Sequence, residues 1–334
     1  MAVSIKDIAR LAGVSHSTVS RALRHSPLIP PTTRERIERI AEEHGYSVSA
    51  IARSLVTRKT HAIGVVVTSL SDPFNGDVVS GIEEVANHAG YSVVLSTSQA
   101  DGDRELSVVR ALSERRVDGV VIASSRVGAL YAKILGDLQI PIVLLNNQHP
   151  GNFAHSVTID NVDGAQKATE HLADLGHKRI AFIGDSHGMQ SDKDRRRGFT
   201  AVLRKRNILL CPAYVVQGDG KPALAGGAVS RLLELRDPPT AIFCYNDMTA
   251  LGVLDAASKM RIKVPQDLSV CGFDDLFFAP FLNPPLTSIR QPKKEIGERA
   301  ARLLLLILAQ ETANKTIKIK GSLVIRGSTA PPGG

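Results

Sequence analysis

From residue 61 onward, short apolar runs rich in β-formers alternate with stretches of helical spacing, and no other feature constrains the fold of this chain as much. The runs are Ile63–Val67, Tyr91–Leu95, Val117–Ile122, Ile142–Leu145, Val157–Ile159, Ile180–Ile183, Tyr214–Val216, Ala241–Phe243, Ser269–Gly272 and Leu323–Ile325. Between them lie helical patterns such as Val78–His88, Glu105–Arg115, Ala165–Leu175 and Leu251–Met260. Near-continuous apolar strands separated by helices require parallel sheets covered on both faces. The strands are too many for one small sheet, and the alternation restarts near residue 162. A weak internal echo supports two halves: Gly64-Val-Val-Val leads into a helix ending at Gly90-Tyr91, and Ile180-Ala-Phe-Ile-Gly184 leads into a helix from Gly198. Two doubly wound lobes turn the carboxyl ends of their strands toward each other, and ligands bind in that kind of crevice.

The residues that follow the strands are candidates for lining it. They are Ser69 through Asp72, Phe74 and Asn75, then Asn146-Asn147, Asp185 to Arg197, Asn246-Asp247, Asp274-Asp275 and Gln291. Carboxylates, amides, one aromatic and an arginine cluster suit a polyhydroxylated ligand. Each hydroxyl donates to a carboxylate and accepts from an arginine or amide, and Phe74 can cover the apolar face of a ring.

The first sixty residues have a different character. Ser4 and Asp7 have capping-box spacing. Ile5, Ile8, Ala9 and Ala12 form one helical stripe, and Gly13 can end that helix in the left-handed conformation. Ser15 can cap a second helix, on which Val14, Val19, Ala22 and Leu23 face inward while His16, Ser17, Ser20 and Arg21 face outward. Two short helices joined by a tight glycine turn are how a helix–turn–helix offers its second helix to the major groove. Thr32 and Glu35 repeat the capping-box spacing, and Ile37, Ile40 and Ala41 continue a third helix that stops at Gly45. Residues 1–60 hold ten Lys/Arg against five Asp/Glu, so they carry five of the chain's eight net positive charges. A basic excess on a small terminal unit is an electrostatic footprint for phosphate contacts.

Other classes find little support. At 334 residues the chain is long enough for two or three domains. No apolar run is long enough to span a bilayer; Leu303 to Leu308 reads as a buried helix face. No apolar core region follows Lys6 and Arg10, so no secretory signal is expected and the location is expected to be cytoplasmic. Cys211, Cys244 and Cys271 are far apart and match no metal-site spacing. There is no phosphate loop, nucleophile elbow or two-histidine helical pair. Asp274-Asp275 could serve as an acid/base pair, but adjacent carboxylates at a strand end are common turn residues. No catalytic residues, cofactor or metal are expected.

At this point the residues resemble a known family. Ile5-Lys-Asp-Ile-Ala, Ala12-Gly-Val-Ser and Thr18-Val-Ser-Arg are similar to the opening signature of the LacI/GalR family of bacterial transcription regulators. Ser49-Ala-Ile-Ala-Arg-Ser-Leu55 resembles the family's hinge helix. Gly176-His-Lys-Arg-Ile, Arg195 with Gly198-Phe, Asn246-Asp with Ala250-Leu-Gly, Gly272-Phe-Asp-Asp and Thr287-Ser-Ile-Arg-Gln-Pro292 resemble its sensor. The resemblance implies an all-α helix–turn–helix headpiece over residues 1–47 and a hinge helix and linker over 48–60. A periplasmic-binding-protein-like α/β sensor of two doubly wound parallel-sheet lobes follows over 61–334. Its first lobe would take about 61–161 and 293–322, its second about 162–292 and 323–334.

The family's mechanism follows as an expectation. A homodimer would place two recognition helices on double-stranded DNA at a near-palindromic operator. His16, Ser17 and Arg21 would read bases, and Ser15, Thr18 and Ser20 would lie near phosphates. Leu55 stands where the family wedges a leucine into the minor groove, kinking the duplex. The family's cleft residues match Phe74, Asn146, Asn147, Arg195, Asn246, Asp274 and Gln291. Asp72 falls where sugar-binding relatives often have asparagine. Retention of Arg195, Asn246, Asp274 and Gln291 favours a sugar. Gly220 stands where relatives place an aromatic, and Asn147 where some carry Trp or Arg. The chain ends without a heptad repeat, so a dimer is expected. A purine-type corepressor is the alternative effector. A sugar-binding protein without regulatory output is the alternative class.

Overall fold

The structure, a computed structural model, describes residues 3–23, 25–46, 59–125, 127, 140–146, 155–187, 189–311 and 316–333. The expected hinge helix, with Leu55, and Asn147 lie outside these residues. The chain divides into two compact units, one up to His61 and one from Ala62 on.

The first unit is three helices: α1 (Ile5–Leu11), α2 (His16–Ala22) and α3 (Pro31–Glu43). The Asp7 carboxylate reaches back to accept from Ser4 N at 3.1 Å, fixing the start of α1. Gly13 has φ +63°, the left-handed turn that lets α2 follow at once. Ser15 Oγ accepts from Thr18 N at 3.1 Å and caps α2. Ile8, Ala9, Ala12, Val19, Ala22 and Ile37 form the core, with Val14 and Leu23 packed against it. The capping box expected at Thr32 and Glu35 does not form. Pro31 instead opens α3 with Pro30 as a cap that offers no side chain. Proline at the first helical position lacks only an N–H that would be unpaired there anyway.

The second unit holds two six-stranded sheets. The first has the order β2-β1-β3-β4-β5-β11, from β1 (Ala62–Val67), β2 (Ser92–Thr97), β3 (Gly119–Ala123), β4 (Ile142–Leu145), β5 (Ser156–Ile159) and β11 (Thr316–Ile319). All its pairs are parallel. Alternate residues of β1 feed opposite layers. Ile63, Val65 and Val67 pack toward α4 (Pro73–His88) and α10 (Lys293–Leu308), while Val66 packs toward α5 (Gly102–Glu114). Helices α4 and α10 touch backbone to backbone, because a Cβ at Gly297 would collide with the Val78 carbonyl and one at Gly81 with the Lys294 carbonyl.

The second sheet has the order β7-β6-β8-β9-β10-β12, from β6 (Ile180–Asp185), β7 (Val215–Gly218), β8 (Ala241–Cys244), β9 (Ser269–Asp274), β10 (Thr287–Arg290) and β12 (Ser322–Val324). Only β12, at the edge, runs antiparallel. One face carries α6 (Asn161–Asp174) and α7 (Gln190–Lys205), the other α8 (Pro222–Leu233) and α9 (Asp247–Lys259). A chain of aromatics, Phe199, Phe182, Phe243 and Phe273, fills the first of these layers with ring centroids 5.5, 5.4 and 6.5 Å apart in turn.

The chain crosses from the first sheet to the second after β5, returns after β10 and crosses again after β11. Two strands, β10 and β11, were not expected from the sequence. The helix read from Gly198 begins earlier, so that Ser191–Arg197 is the first half of α7.

Candidate functional site

In the first unit, α2 presents Ser15, His16, Ser17 and Arg21 to solvent, with Thr18 and Ser20 half-buried. Val19 and Ala22 are the residues that anchor the helix. The Ser15 hydroxyl lies 2.8 Å from both Ser17 Oγ and Thr18 Oγ1, a small hydroxyl cluster at the helix start. Arg21 is exposed one turn further on. This is a rigid, polar, positively charged helix face of the kind that enters a groove.

In the second unit Arg195 lies at the carboxyl ends of β8 and β9. This side chain is only 5% exposed. Its Nε donates to Asn161 Oδ1 at 3.0 Å and its Nη1 donates to the Tyr245 carbonyl. Its guanidinium carbon lies 3.7 Å from the Phe273 ring centroid and 4.6 Å from that of Tyr245. The aromatic chain of the core therefore ends under the cation of the cleft. Nη2 faces Asp274 Oδ1 at 3.7 Å.

Asp274 ends β9 with φ +117°, and Asp275 follows at φ +50°. Two successive residues in unfavourable backbone regions need firm support, and they have it. Gln291 Nε2 donates to Asp274 Oδ1 at 2.6 Å. Lys293 Nζ donates to the Asp274 and Asp275 carbonyls at 3.0 and 2.8 Å. Asp275 pairs with Arg290 and Arg326, each at 2.7 Å. Beneath them the buried Asp247 accepts from Leu276 N at 2.7 Å and Ser288 Oγ at 2.5 Å. Burial raises the Asp274 carboxyl above the usual range; Arg195 opposes this and the charge of Asp72 adds to it. Burial also raises Asp247, and the charge of Asp274 adds to that.

The other expected site residues fall as follows. Asp72 caps α4, accepting from Phe74 N at 3.0 Å, and burial raises its carboxyl. Phe74 is half-buried and leans on the core of the first lobe. Asn246 is committed to its own lobe: its Oδ1 accepts from Thr249 N at 2.8 Å and its Nδ2 donates to the Gly220 carbonyl at 3.0 Å. Asn146 lines an interlobe cavity of about 210 Å³, with Thr158 and Lys318 from the first lobe and Gln190, Ser191, Asp194 and Arg197 from the second. The structure thus groups Arg195, Asp274 and Gln291, places Asp72 within their field, and sets Asn146 across the cavity from α7.

Sequence reasoning missed Tyr245, Asn161 and Lys293, and named Ser191 only within the stretch Asp185 to Arg197. Tyr245 lies 2.8 Å from Ser191 Oγ through its hydroxyl, and burial pushes its pKa up to about 12, so it stays protonated. Its signal in the sequence was adjacency to Asn246. The segment around Ser191 was noted, but without the helical register that points Ser191, Asp192 and Arg195 inward. Among the described residues no helix is long and apolar enough to cross a membrane, and no cluster of three metal-ligating side chains occurs.

A helix–turn–helix joined to a two-lobed, periplasmic-binding-protein-like domain with a polar cleft defines a ligand-sensing DNA-binding regulator. The family model for bacterial regulatory proteins of the lacI family matches residues 4–49, and that for a periplasmic binding protein-like domain matches residues 169–329. The chain is 35% identical over 330 residues to the HTH-type transcriptional repressor CytR of Escherichia coli, covering 98% of this chain and 96% of that one. The solved lac repressor dimer bound to operator and the anti-inducer ONPF superposes with a TM-score of 0.90 at 27% identity, covering 99% of this chain and 100% of that one. The complex of the transcriptional regulator CelR with cellobiose gives a TM-score of 0.75 at 28% identity, covering 98% and 99%. The chain belongs to the LacI family of bacterial regulatory proteins. It is a DNA-binding transcriptional regulator with a ligand-binding sensor domain, not an enzyme.

Proposed function

We propose that this chain is a cytoplasmic, homodimeric repressor whose operator affinity is set by a small sugar or related metabolite in the interlobe cleft. In this reading residues 1–47 are the reader, 48–60 the hinge and 61–334 the sensor. His16, Ser17 and Arg21 contact base edges, Ser15, Thr18 and Ser20 approach phosphates, and Leu55 is the minor-groove wedge. Asp72, Phe74, Asn146, Asn147, Arg195, Asn246, Asp274 and Gln291 receive the effector.

One observation carries the reading: the buried Asp274 holds Gln291 by a hydrogen bond and Arg195 by an ion pair at the carboxyl end of β9, where Asp274 and Asp275 have successive positive φ values. Buried polar groups held this firmly against backbone strain mark a binding site. The cellobiose bound by CelR supports a sugar. The ligand acts through its unequal affinity for two lobe arrangements.

The test is selection of bound DNA from a random pool by the full-length protein, with and without a panel of sugars and purines. A near-palindrome of about twenty base pairs is expected, lost or gained with one sugar. Enrichment that responds only to a purine would replace the sugar. No enrichment at low salt would remove the reader from the account.

A further inference from the structure

The cavity between β5, β11 and α7 is distinct from the cluster around Asp274. Of the described residues assigned to the effector, only Asn146 lines it. One wall breaks the pattern of the first sheet. Val157, Ile159, Ile317 and Ile319 of β5 and β11 pack toward α4 and α10. Their alternates Ser156, Thr158, Thr316 and Lys318 line the cavity. Strands of a parallel sheet covered on both faces are apolar on both, so this polar face is built for water or a ligand rather than for packing. The facing wall is the start of α7, with Gln190, Ser191, Asp194 and Arg197. Met189, which precedes α7, makes no side-chain cap bond, so this helix start lacks the kind of partner that Asp160 gives α6.

Asn161, the first residue of α6 and only 5% exposed, also lines the cavity. Arg195 Nε donates to its Oδ1 at 3.0 Å, which fixes the amide and leaves Nδ2 as its open end. That Nδ2 has no hydrogen-bond partner among the described residues. The charges lean the same way. Arg197 and Lys318 face one lining carboxylate, Asp194, which is spent on Gln190 Nε2 at 3.0 Å and Arg197 at 3.3 Å. Lys318 reaches Asp160 at 3.2 Å, but that carboxylate also caps α6. The Lys318 side chain is 57% exposed and that of Arg197 67%, so both can turn to a further partner. A buried amide donor without an acceptor, an uncapped helix start and two adaptable cations all call for an oxyanion. A neutral polyol supplies acceptors but no charge. We infer that this cavity is a phosphate site, in which Asn161 Nδ2, Lys318, Arg197 and the start of α7 receive the oxygens. A phosphate there touches β11 of the first lobe and α6 and α7 of the second, and so ties the lobes together. The site goes beyond the effector reading, since neither Asp274 nor Gln291 takes part in it.

The test is calorimetric titration of the full-length protein, at constant ionic strength near neutral pH, with inorganic phosphate, glycerol 3-phosphate and glucose 6-phosphate, and with glycerol and glucose as phosphate-free controls. Asn161→Asp is the diagnostic variant. It keeps the oxygen that Arg195 holds, suits the first turn of a helix, and replaces the open donor with a carboxylate oxygen. Lys318→Met removes a cation from an exposed position and serves if the first variant fails to fold. At least one phosphate compound is expected to bind the wild type about tenfold or more tighter than glycerol or glucose, and each variant is expected to weaken that binding about tenfold or more. Equal affinity for inorganic phosphate and the esters assigns the site to the free ion, and preference for an ester assigns it to the phosphate arm of a metabolite; both support the inference. Phosphate binding that survives unchanged in both variants lies elsewhere on the protein and overturns it. So does a wild type that binds no phosphate compound. In either case the effector reading stands, because the DNA selection with sugars and purines judges it separately.

Discussion

Arg195→Met isolates what the cleft's cation does. The substitution keeps length and apolar bulk over the Phe273 and Tyr245 rings but removes the charge and its donors. Asp274, 3.7 Å away and 6% exposed, is then a buried carboxylate with no guanidinium beside it. Breaking a buried ion pair by removing one partner costs about 3–5 kcal/mol. At about 2–4 °C per kcal/mol for a unit of this size, the melting temperature should drop by about 6–20 °C. The cost depends on pH in a defined direction. Burial already raises Asp274 above its ordinary 3.8, and losing Arg195 raises it further. A carboxyl with a raised folded pKa contributes stability below its unfolded pKa and loses it as pH rises through the folded value. The deficit of Arg195→Met should therefore grow from pH 4 to pH 8. Adding Asp274→Asn should recover about 0.5–3 kcal/mol of it at pH 8. Differential scanning fluorimetry of the wild type, the two single variants and the double variant across that range measures both effects. A deficit equal at pH 4 and pH 8, untouched by Asp274→Asn, would refute the pairing of Arg195 with Asp274.

Three further outcomes follow from other parts of the chain. Arg21→Ala should relax base preference by about 1–3 kcal/mol at one position of each half-site, read by competition binding; equal loss on all sequences would make Arg21 a phosphate contact. Gly297→Ala drives a methyl into the Val78 carbonyl of α4, and should destabilise by about 1–3 kcal/mol or more in urea unfolding, whereas an unchanged midpoint would mean the two helices separate freely. His155, His171 and His177 are all held below their ordinary 6.5 by burial. Imidazoles with depressed folded pKa values lend stability above 6.5 and lose it as pH falls, so the melting temperature should decline on acidification below that value; a flat profile from pH 7 to pH 5 would contradict their burial.

The fold was legible where burial imposes a period. Strands such as Ile63–Val67 and Ile180–Ile183 are apolar because both of their faces are covered. The four-residue β10 (Thr-Ser-Ile-Arg) and β11 (Thr-Ile-Lys-Ile) are too short and too polar to show one. Helix α7 hid its first half for a functional reason. Its inward face carries Ser191, Asp192 and Arg195 toward the cleft, so the apolar stripe begins only at Phe199. Arg195, Asp274 and Gln291 could be named from the sequence because they follow strands or carry a family motif. Tyr245 and Lys293 could not, because their roles come from stacking and from reaching backbone carbonyls, which leave no pattern. The Thr32 capping box failed because a neighbouring proline is a competing way to start a helix.

The last strands have a consequence for how the molecule is made. β11 completes the edge of the first sheet and β12 that of the second, with only Lys320 and Gly321 between them. Beyond β12, Ser328 and Ala330 are stitched to Val270, Thr287, Ser269 and the buried His177. During synthesis, both lobes therefore wait on the same short stretch of chain, and neither sheet has its full set of strands until residues 316–324 have been made. A nonsense mutation anywhere before residue 316 would remove an edge from both halves at once, so such alleles should behave as complete losses.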